Sequence, residues 1–385
     1  MTPAARTQAA IELLDAIIAA ARDDGPAADT LIARYFAQRR YAGSKDRRAV
    51  RELVYAAIRL HGERPASGRA AVLALAQGDA SLRATFDDSP HAPAPIGSGE
   101  AVARPGLAPA WLLDRLRASG LDELELAALV ERAPLDVRVN RLCDGVPVDL
   151  GNPISGLPDG RRLPAGTDLA PYAGRVEVQD AGSQIVTLAA AAEPGQRVVD
   201  LCAGAGGKTL ALAAQMANEG LILACDTDRA RLQRLPPRAV AAGVTIAGTR
   251  LLNPGRELEA LADWRARADA VLIDAPCSGT GTWRRSPEAR WRLTPDRLAR
   301  LALTQSRLLD IGAALVRPGG ALVYVVCSLL DEEGAEQAAG FAERSGWRAD
   351  DLSLPAGRSR GPGLRLTPAR DATDGFFVAR LTAPC

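Results

Sequence analysis

Three short stretches place reactive or ligand-cradling residue types where an apolar run ends. "DLCAGAGGKT" (200–209) carries Gly204, Gly206, Gly207 and Lys208; "DAPCSGTGTWRRSPEARWR" (274–292) carries Asp274 and Cys277; "VYVVCSLLDEEG" (323–334) carries Cys327. A lone cysteine in an apolar strand is ordinarily inert filler. Two thiols at the exits of neighbouring strands, one of them three residues from a carboxylate, are harder to dismiss as filler. The other cysteines invite packing readings: Cys225 precedes a strand-end acid, Cys202 sits just inside the glycine stretch, and Cys143 and Cys385 belong to no motif.

The glycine stretch resembles a phosphate loop only at first sight. A Walker loop needs glycine five residues before the "GK[ST]" glycine, where this chain has Cys202. A dinucleotide loop needs a third glycine where the chain has Thr209. What remains is a tight turn whose backbone lets a ligand come close to a helix N-terminus. Asp226 ends the next apolar run, "LILACD", about 20 residues on, where a carboxylate can take both hydroxyls of a ribose. Turn and acid together suit an adenosyl ligand without a pyrophosphate; a turn followed by a helix-capping aspartate is the structural alternative.

The elements that must position these residues follow a simple order. Residues 5–85 show helical periodicity, for example Val50, Leu53, Val54 and Ile58. Residues 87–109 are dense in Pro, Gly and Ser and read as a linker. Two helices near 110–119 and 122–132 precede strand-like "LDVRVNRL" and "GRVEVQDAGSQIVTLAAAA". From residue 196, "RVVDLC", "LILACD", "ADAVLIDAPC" and "GALVYVVCS" alternate with helical stretches. That alternation predicts a doubly wound, mostly parallel sheet that binds ligands at its strands' C-terminal ends. "GLRLTP" and "DGFFVARLTA" suit an antiparallel hairpin at its edge.

Composition sets the outer limits. The 385 residues are 47% hydrophobic and 24% charged, as in ordinary globular proteins. With a formal net charge of +1, any nucleic-acid surface must be a local patch. Such a patch fits residues 31–64, where nine Arg or Lys face three Asp or Glu and tyrosines interleave; a solvated helix face fits equally. Only Lys45 and Lys208 among 47 basic residues are lysines. No C-x-x-C pair suggests zinc or a disulfide framework, and no uncharged apolar run reaches membrane-spanning length. The expectation is a cytoplasmic protein without a metal.

With these residues in view, the chain resembles the S-adenosylmethionine-dependent RNA cytosine-C5 methyltransferases of the RsmB/Sun (NOL/NOP/Sun) group. The three stretches carry the resemblance, with "PLDVRVN" and "VQDAGSQ" upstream and "DGFFVARL" downstream, over about residues 130–385. Residues 1–86, notably "RRAVRELVYAAIR", are similar more loosely to NusB-type RNA-binding domains. The resemblance implies an α/β fold: a Rossmann-like S-adenosylmethionine methyltransferase domain over 193–385, with a mixed seven-stranded sheet and helices on both faces. Before it would come the all-α domain, the 87–109 linker, and a 110–192 connector with a small α+β RNA-recognition element. Amino-group methyltransferases place an aromatic where this chain has Cys277. Two departures stand out: the family turn usually has proline at Ala205, and usually an aspartate near adenine at Asn253.

The resemblance also implies roles. Cys327 would be the nucleophile, Cys277 would serve product release, and Asp274 would lie between base and methyl donor. Cys202, Ala203, Gly204, Ala205, Gly206, Gly207, Lys208, Asp226, Asn253 and Asp274 would hold S-adenosyl-L-methionine. Arg138, Asn140, Gln179, Asp180, Ser183, Arg284 and Arg285 would contact RNA, with Arg290, Arg292, Trp283 and Trp291 as further phosphate-tracking and base-stacking groups. Buried tryptophans on an arginine-rich surface helix are the alternative. The implied partner is RNA, most simply small-subunit ribosomal RNA; transfer RNA, or a catalytically silent assembly factor, are the other readings. A monomer is compatible with all of them.

Overall fold

The structure, a computed structural model, describes residues 1–145, 147 and 149–384; Cys385 lies outside the described residues. The chain divides into two compact units. One comprises Met1–Arg132 with Thr282–Pro295, and the other Ala133–Gly281 with Asp296–Cys385.

The first unit is helical. Helices α1 (Pro3–Arg22), α2 (Ala28–Gln38), α3 (Ser44–Leu60), α4 (Gly68–Ala76) and α5 (Ala80–Arg83) surround a core that includes Leu14, Ile17, Val50, Val54 and Ile58. Caps explain their starts: Thr2 accepts from the Ala5 N–H at α1, and Ser67 from the Ala70 N–H at α4. Helices α6 (Ala110–Ala118) and α7 (Glu123–Ala128) complete it. Residues 87–109 do not behave as a linker. The Gly106 N–H donates to Leu60 O and the Ala103 N–H to Ala70 O, while Arg69 pairs with Glu100. The buried His61 ring spans Arg104 O and Ala71 O at 3.1 Å each.

Residues 282–295 are the larger departure from the expected domain boundaries. Arg290, with no exposed surface, donates to the carbonyls of Ile58, Arg59 and His61, and the Trp291 indole donates to His61 O at 2.8 Å. Arg292 donates to Gly25 O and Pro26 O, each at 2.7 Å, and Glu288 accepts from the Ala28 N–H at 3.1 Å. Helix ends leave carbonyls and N–H groups unpaired. Cations therefore serve the C-terminal ends of α1 and α3, and an anion serves the N-terminal end of α2, as the helix dipole favours.

The second unit holds two sheets. Strands β1 (Leu135–Val139), β2 (Asn152–Ile154), β3 (Leu157–Leu163) and β4 (Val176–Val178) form an antiparallel sheet in the order β2-β3-β1-β4. Helix α8 (Ala181–Leu188) leads from it. The main sheet contains β5 (Arg197–Asp200), β6 (Leu221–Asp226), β7 (Ala247–Leu251), β8 (Ala268–Asp274), β9 (Val316–Val326), β10 (Arg348–Ala349), β11 (Arg358–Arg360), β12 (Gly363–Leu366) and β13 (Phe376–Thr382). Its order is β11-β12-β13-β9-β8-β5-β6-β7, with β10 on β13. Strands β5 to β9 pair in parallel, while β12 and β13 add the antiparallel edge. The seven strands of a Rossmann-like methyltransferase are thus present, and short β10 and β11 bring the total to nine. Separate apolar clusters cover its faces, one including Val198, Leu212 and Val323, the other Val199, Ile273 and Tyr324. This alternation along β5 and β9 is what a sheet buried on both sides requires.

Candidate active site

Strand β5 ends at Asp200 and the chain turns through 201–206 into helix α9 (Gly207–Gln215). Gly204 and Gly206 adopt φ of 56° and 87°, a region costly for other residues. A Cβ on Gly206 would also lie 2.2 Å from Leu235 Cδ1, whereas Gly207 faces open space. Asp226, at the end of β6, accepts from the Gly204 N–H and the Asp228 N–H, each at 2.7 Å. One hydrogen bond to each oxygen leaves lone pairs for a further donor. Beneath the turn, Thr209 donates to Asp200 at 2.6 Å. Burial pushes the Asp200 carboxyl up to about 7, against the Thr209 hydrogen bond. Burial likewise raises the thiols of Cys202 and Cys225, the latter to about 12. Asn253 is exposed just past β7, beside the Leu252 N–H that donates to Asp226 O at 2.9 Å.

At the neighbouring exits, β8 and β9 run in register with Asp274 opposite Val325. Lys208 reaches from α9 to Asp274, Nζ to Oδ2 at 2.7 Å, over the Phe376 ring. It is largely buried rather than solvent-facing. Cys277 and Cys327 meet with Sγ atoms 3.4 Å apart, both partly accessible. The hydrogen bond to Cys327, then burial, holds the Cys277 thiol well above its ordinary pKa. The Gly281 N–H donates to Cys327 O at 3.0 Å, and a Cβ on Gly281 would lie 2.0 Å from Gly375 O, so glycine is required at this close crossing. The glycine turn, Asp226, Lys208, Asp274 and both thiols therefore gather at one end of the parallel strands.

The upstream residues separate into two groups. Arg138 donates to Gln179 Oε1 at 2.9 Å, and Gln179 to Ser183 Oγ at 3.3 Å, forming one connected row. Asn140 and Asp180 are spent inside the protein. The Asn140 amide donates to Gly174 O and Ala242 O, and Asp180 caps α8 and accepts from the Asp374 N–H. Those roles correct the reading of both as RNA contacts. Arg284 is buried and Arg285 half-buried, both in the helical unit. Trp283 and Trp291 are buried, and Arg290 and Arg292 are committed to backbone carbonyls, which corrects their reading as an RNA track. The sequence reading missed Glu333, Ser278, Ser328 and Gln305, a buried polar group behind the thiols. Its one visible signal is the serine that follows each cysteine. Among the described residues no helix is long and apolar enough to cross a membrane, and no cluster could hold a metal.

A family model described as 16S rRNA methyltransferase RsmB/F matches residues 187–382. The chain is 36% identical over 295 residues to ribosomal RNA small subunit methyltransferase B of Citrobacter koseri, covering 71% of this chain and 66% of that protein. It is 34% identical over 293 residues to the protein of the same name from Escherichia coli, with the same shares. The chain thus spans just under two thirds of the length of these relatives. Among solved structures, PH0851 matches with a TM-score of 0.75 at 23% identity over 99% of both chains, a likeness of fold. NSun6 from Pyrococcus horikoshii with SFG matches with a TM-score of 0.52 at 27% identity, over 59% of this chain and 58% of that one.

Proposed function

The chain belongs to the RsmB/F family of 16S rRNA methyltransferases, and from that premise we propose that it methylates carbon 5 of a cytosine in RNA through a cysteine adduct at carbon 6. The RNA is small-subunit ribosomal RNA, as the names of its relatives suggest, and the work is cytoplasmic. S-adenosylmethionine, when bound, supplies an electrophilic methyl group on a sulfonium. The residues present fit it: an open backbone at Gly207 on a helix N-terminus, a carboxylate with spare lone pairs at Asp226, and the Lys208–Asp274 pair. SFG in the NSun6 structure, an analogue of that cofactor, supports the same choice.

The observation that carries the reading is the 3.4 Å meeting of two thiols beside this turn. Carbon 5 of cytosine is a weak nucleophile. The Cys327 sulfur forms a bond to carbon 6, and the displaced π electrons make carbon 5 able to attack the methyl group. The methyl donor leaves as a neutral thioether; a base then takes the carbon 5 proton, the freed electron pair re-forms the ring double bond, and the carbon–sulfur bond breaks to release Cys327 as a thiolate. Cys277, whose sulfur lies 3.4 Å from that of Cys327, is assigned to this release step, as the family resemblance implies. The target base must leave any helix to reach both sulfurs.

The variants test the roles directly. With S-adenosylmethionine and target RNA, Cys277→Ala accumulates a covalent RNA adduct on a denaturing gel and Cys327→Ala forms none. An adduct with Cys327→Ala would reverse the assignment. Mapping of 5-methylcytosine across total RNA, with and without the protein, should show a lost position in small-subunit ribosomal RNA; if no position is lost, the enzymatic reading fails.

A further inference from the structure

Behind both thiol loops lies Glu333, a carboxylate with no exposed surface. Its Oε1 accepts from the Ser278 N–H at 2.8 Å and from Gln305 Nε2 at 3.0 Å. Its Oε2 accepts from Ser328 Oγ at 2.6 Å and also from Ser278 Oγ. Ser278 follows Cys277 and Ser328 follows Cys327, so a single carboxylate grips the residue next to each sulfur. The surroundings reinforce the grip. The two serine hydroxyls lie 3.2 Å apart, Thr280 Oγ1 accepts from the Leu329 N–H at 2.9 Å, and Gln305 also donates to Pro276 O at 3.0 Å. The Tyr324 hydroxyl, on β9, donates to the Glu333 carbonyl at 2.5 Å, which fixes the backbone that carries the carboxylate.

A carboxylate removed from water survives only when its lone pairs are used, and these four bonds use them. The network joins the two strand exits to Gln305 on helix Pro295–Leu315 and to Tyr324 on β9. We propose that Glu333 is a positioning residue for the thiol pair, clamping the exits of β8 and β9 through Ser278 and Ser328 and so setting the separation of the two sulfurs. Its consequence for catalysis rests on the adduct chemistry proposed above, because two sulfurs must act in turn on one base. The geometric clamp itself does not rest on it.

Two substitutions separate a clamp from a space-filler. In Glu333→Gln the amide oxygen can still accept from the two N–H donors, and its NH2 can donate to the two hydroxyls, which accept as well as donate. In Glu333→Ala all four bonds go. The first readout is oxidation of the full-length protein by diamide, in which Cys277 and Cys327 become a disulfide; this needs no RNA. The second is turnover on ribosomal RNA from cells lacking the protein, with KM for S-adenosylmethionine measured separately.

Glu333→Ala should slow cross-linking and lower kcat by about tenfold to a hundredfold, the loss that a displacement near 1 Å produces, with KM changed by less than about twofold. Glu333→Gln should restore most of the cross-linking rate. If Glu333→Ala cross-links and turns over like the native protein, or if KM rises in parallel with the fall in kcat, the clamp is overturned. Should Glu333→Ala fail to fold, Ser278→Ala and Ser328→Ala each remove one hydroxyl and must slow cross-linking, or the proposal fails. A native protein that cross-links but never methylates RNA would overturn the proposed reaction and leave the clamp standing.

Discussion

Lys208 donates to Asp274 across 2.7 Å, tying the start of α9 to the exit of β8. Side-chain exposures of 9% for Lys208 and 33% for Asp274 put the pair at the floor of the site. Burial pulls the ammonium pKa down, but the charge and hydrogen bond of Asp274 outweigh it and the net direction is up. Lys208→Met leaves Asp274 unpaired; the expected loss is about 1–3 kcal/mol, less than for a fully buried pair because water reaches the acid. Urea unfolding measures that loss, and calorimetric titration with S-adenosylmethionine should show weaker binding. Unchanged values in both would mean that the pair is idle.

Gly206 and Gly207 make a matched test of the turn. Gly206→Ala combines a left-handed φ with a Cβ on Leu235, so stability should fall by about 1–3 kcal/mol. Gly207→Ala meets nothing and lies at a helix start, so stability should hold or rise slightly, by under about 1 kcal/mol. A loss of cofactor affinity in Gly207→Ala without loss of thermal stability would report ligand atoms against that backbone.

Asp200 should leave a signature in stability against pH. Its carboxyl, raised to about 7 by burial, binds a proton more tightly folded than unfolded. The resulting stabilisation is complete below the unfolded value of about 3.9. It declines as pH rises and is gone above about 7. Asp200→Asn keeps an acceptor for Thr209 and should flatten this decline, which amounts to at most about 4 kcal/mol. Urea unfolding of both proteins from about pH 4 to 8 checks it; parallel curves would refute the shift.

Arg290 offers a contrast between holding RNA and holding helices. Burial lowers its pKa to about 10, and its guanidinium serves three carbonyls at the end of α3. Arg290→Met should destabilise the helical unit by about 2–3 kcal/mol through acceptors left unpaired. The slope of RNA affinity against salt should not change, since no phosphate contact is lost. A slope that falls by about one unit would restore the RNA reading of this arginine.

The sequence showed the strands and their exits because β5, β6, β8 and β9 are apolar runs punctuated by acids, cysteines and glycines. Local spacing alone ruled out the Walker and dinucleotide loops at 200–209. It could not show where residues 282–295 belong, since Arg290 and Arg292 find their acceptors more than 200 residues away. Arginines among tryptophans look the same whether they face phosphates or carbonyls. Glu333 stayed hidden for a related reason. Within "DEEG" three acids stand in a row, and only their partners far along the chain, Ser278 and Gln305, show which one turns inward. Asn140 and Asp180 lie in two separate stretches, "PLDVRVN" and "VQDAGSQ", that carry the RNA-enzyme resemblance, but their hydrogen bonds hold turns and a helix start.

The strap of residues 282–295 has a consequence for anyone dissecting the molecule. Because the chain leaves the sheet-bearing unit after Gly281 and rejoins it at Asp296, the helical part is not an excisable N-terminal module. A fragment beginning near residue 133 would carry Arg290 and Trp291 stripped of the helices that bury them. Insolubility or inactivity of such a fragment would report an orphaned strap five residues downstream of Cys277, and would say nothing about what the first 132 residues recognise.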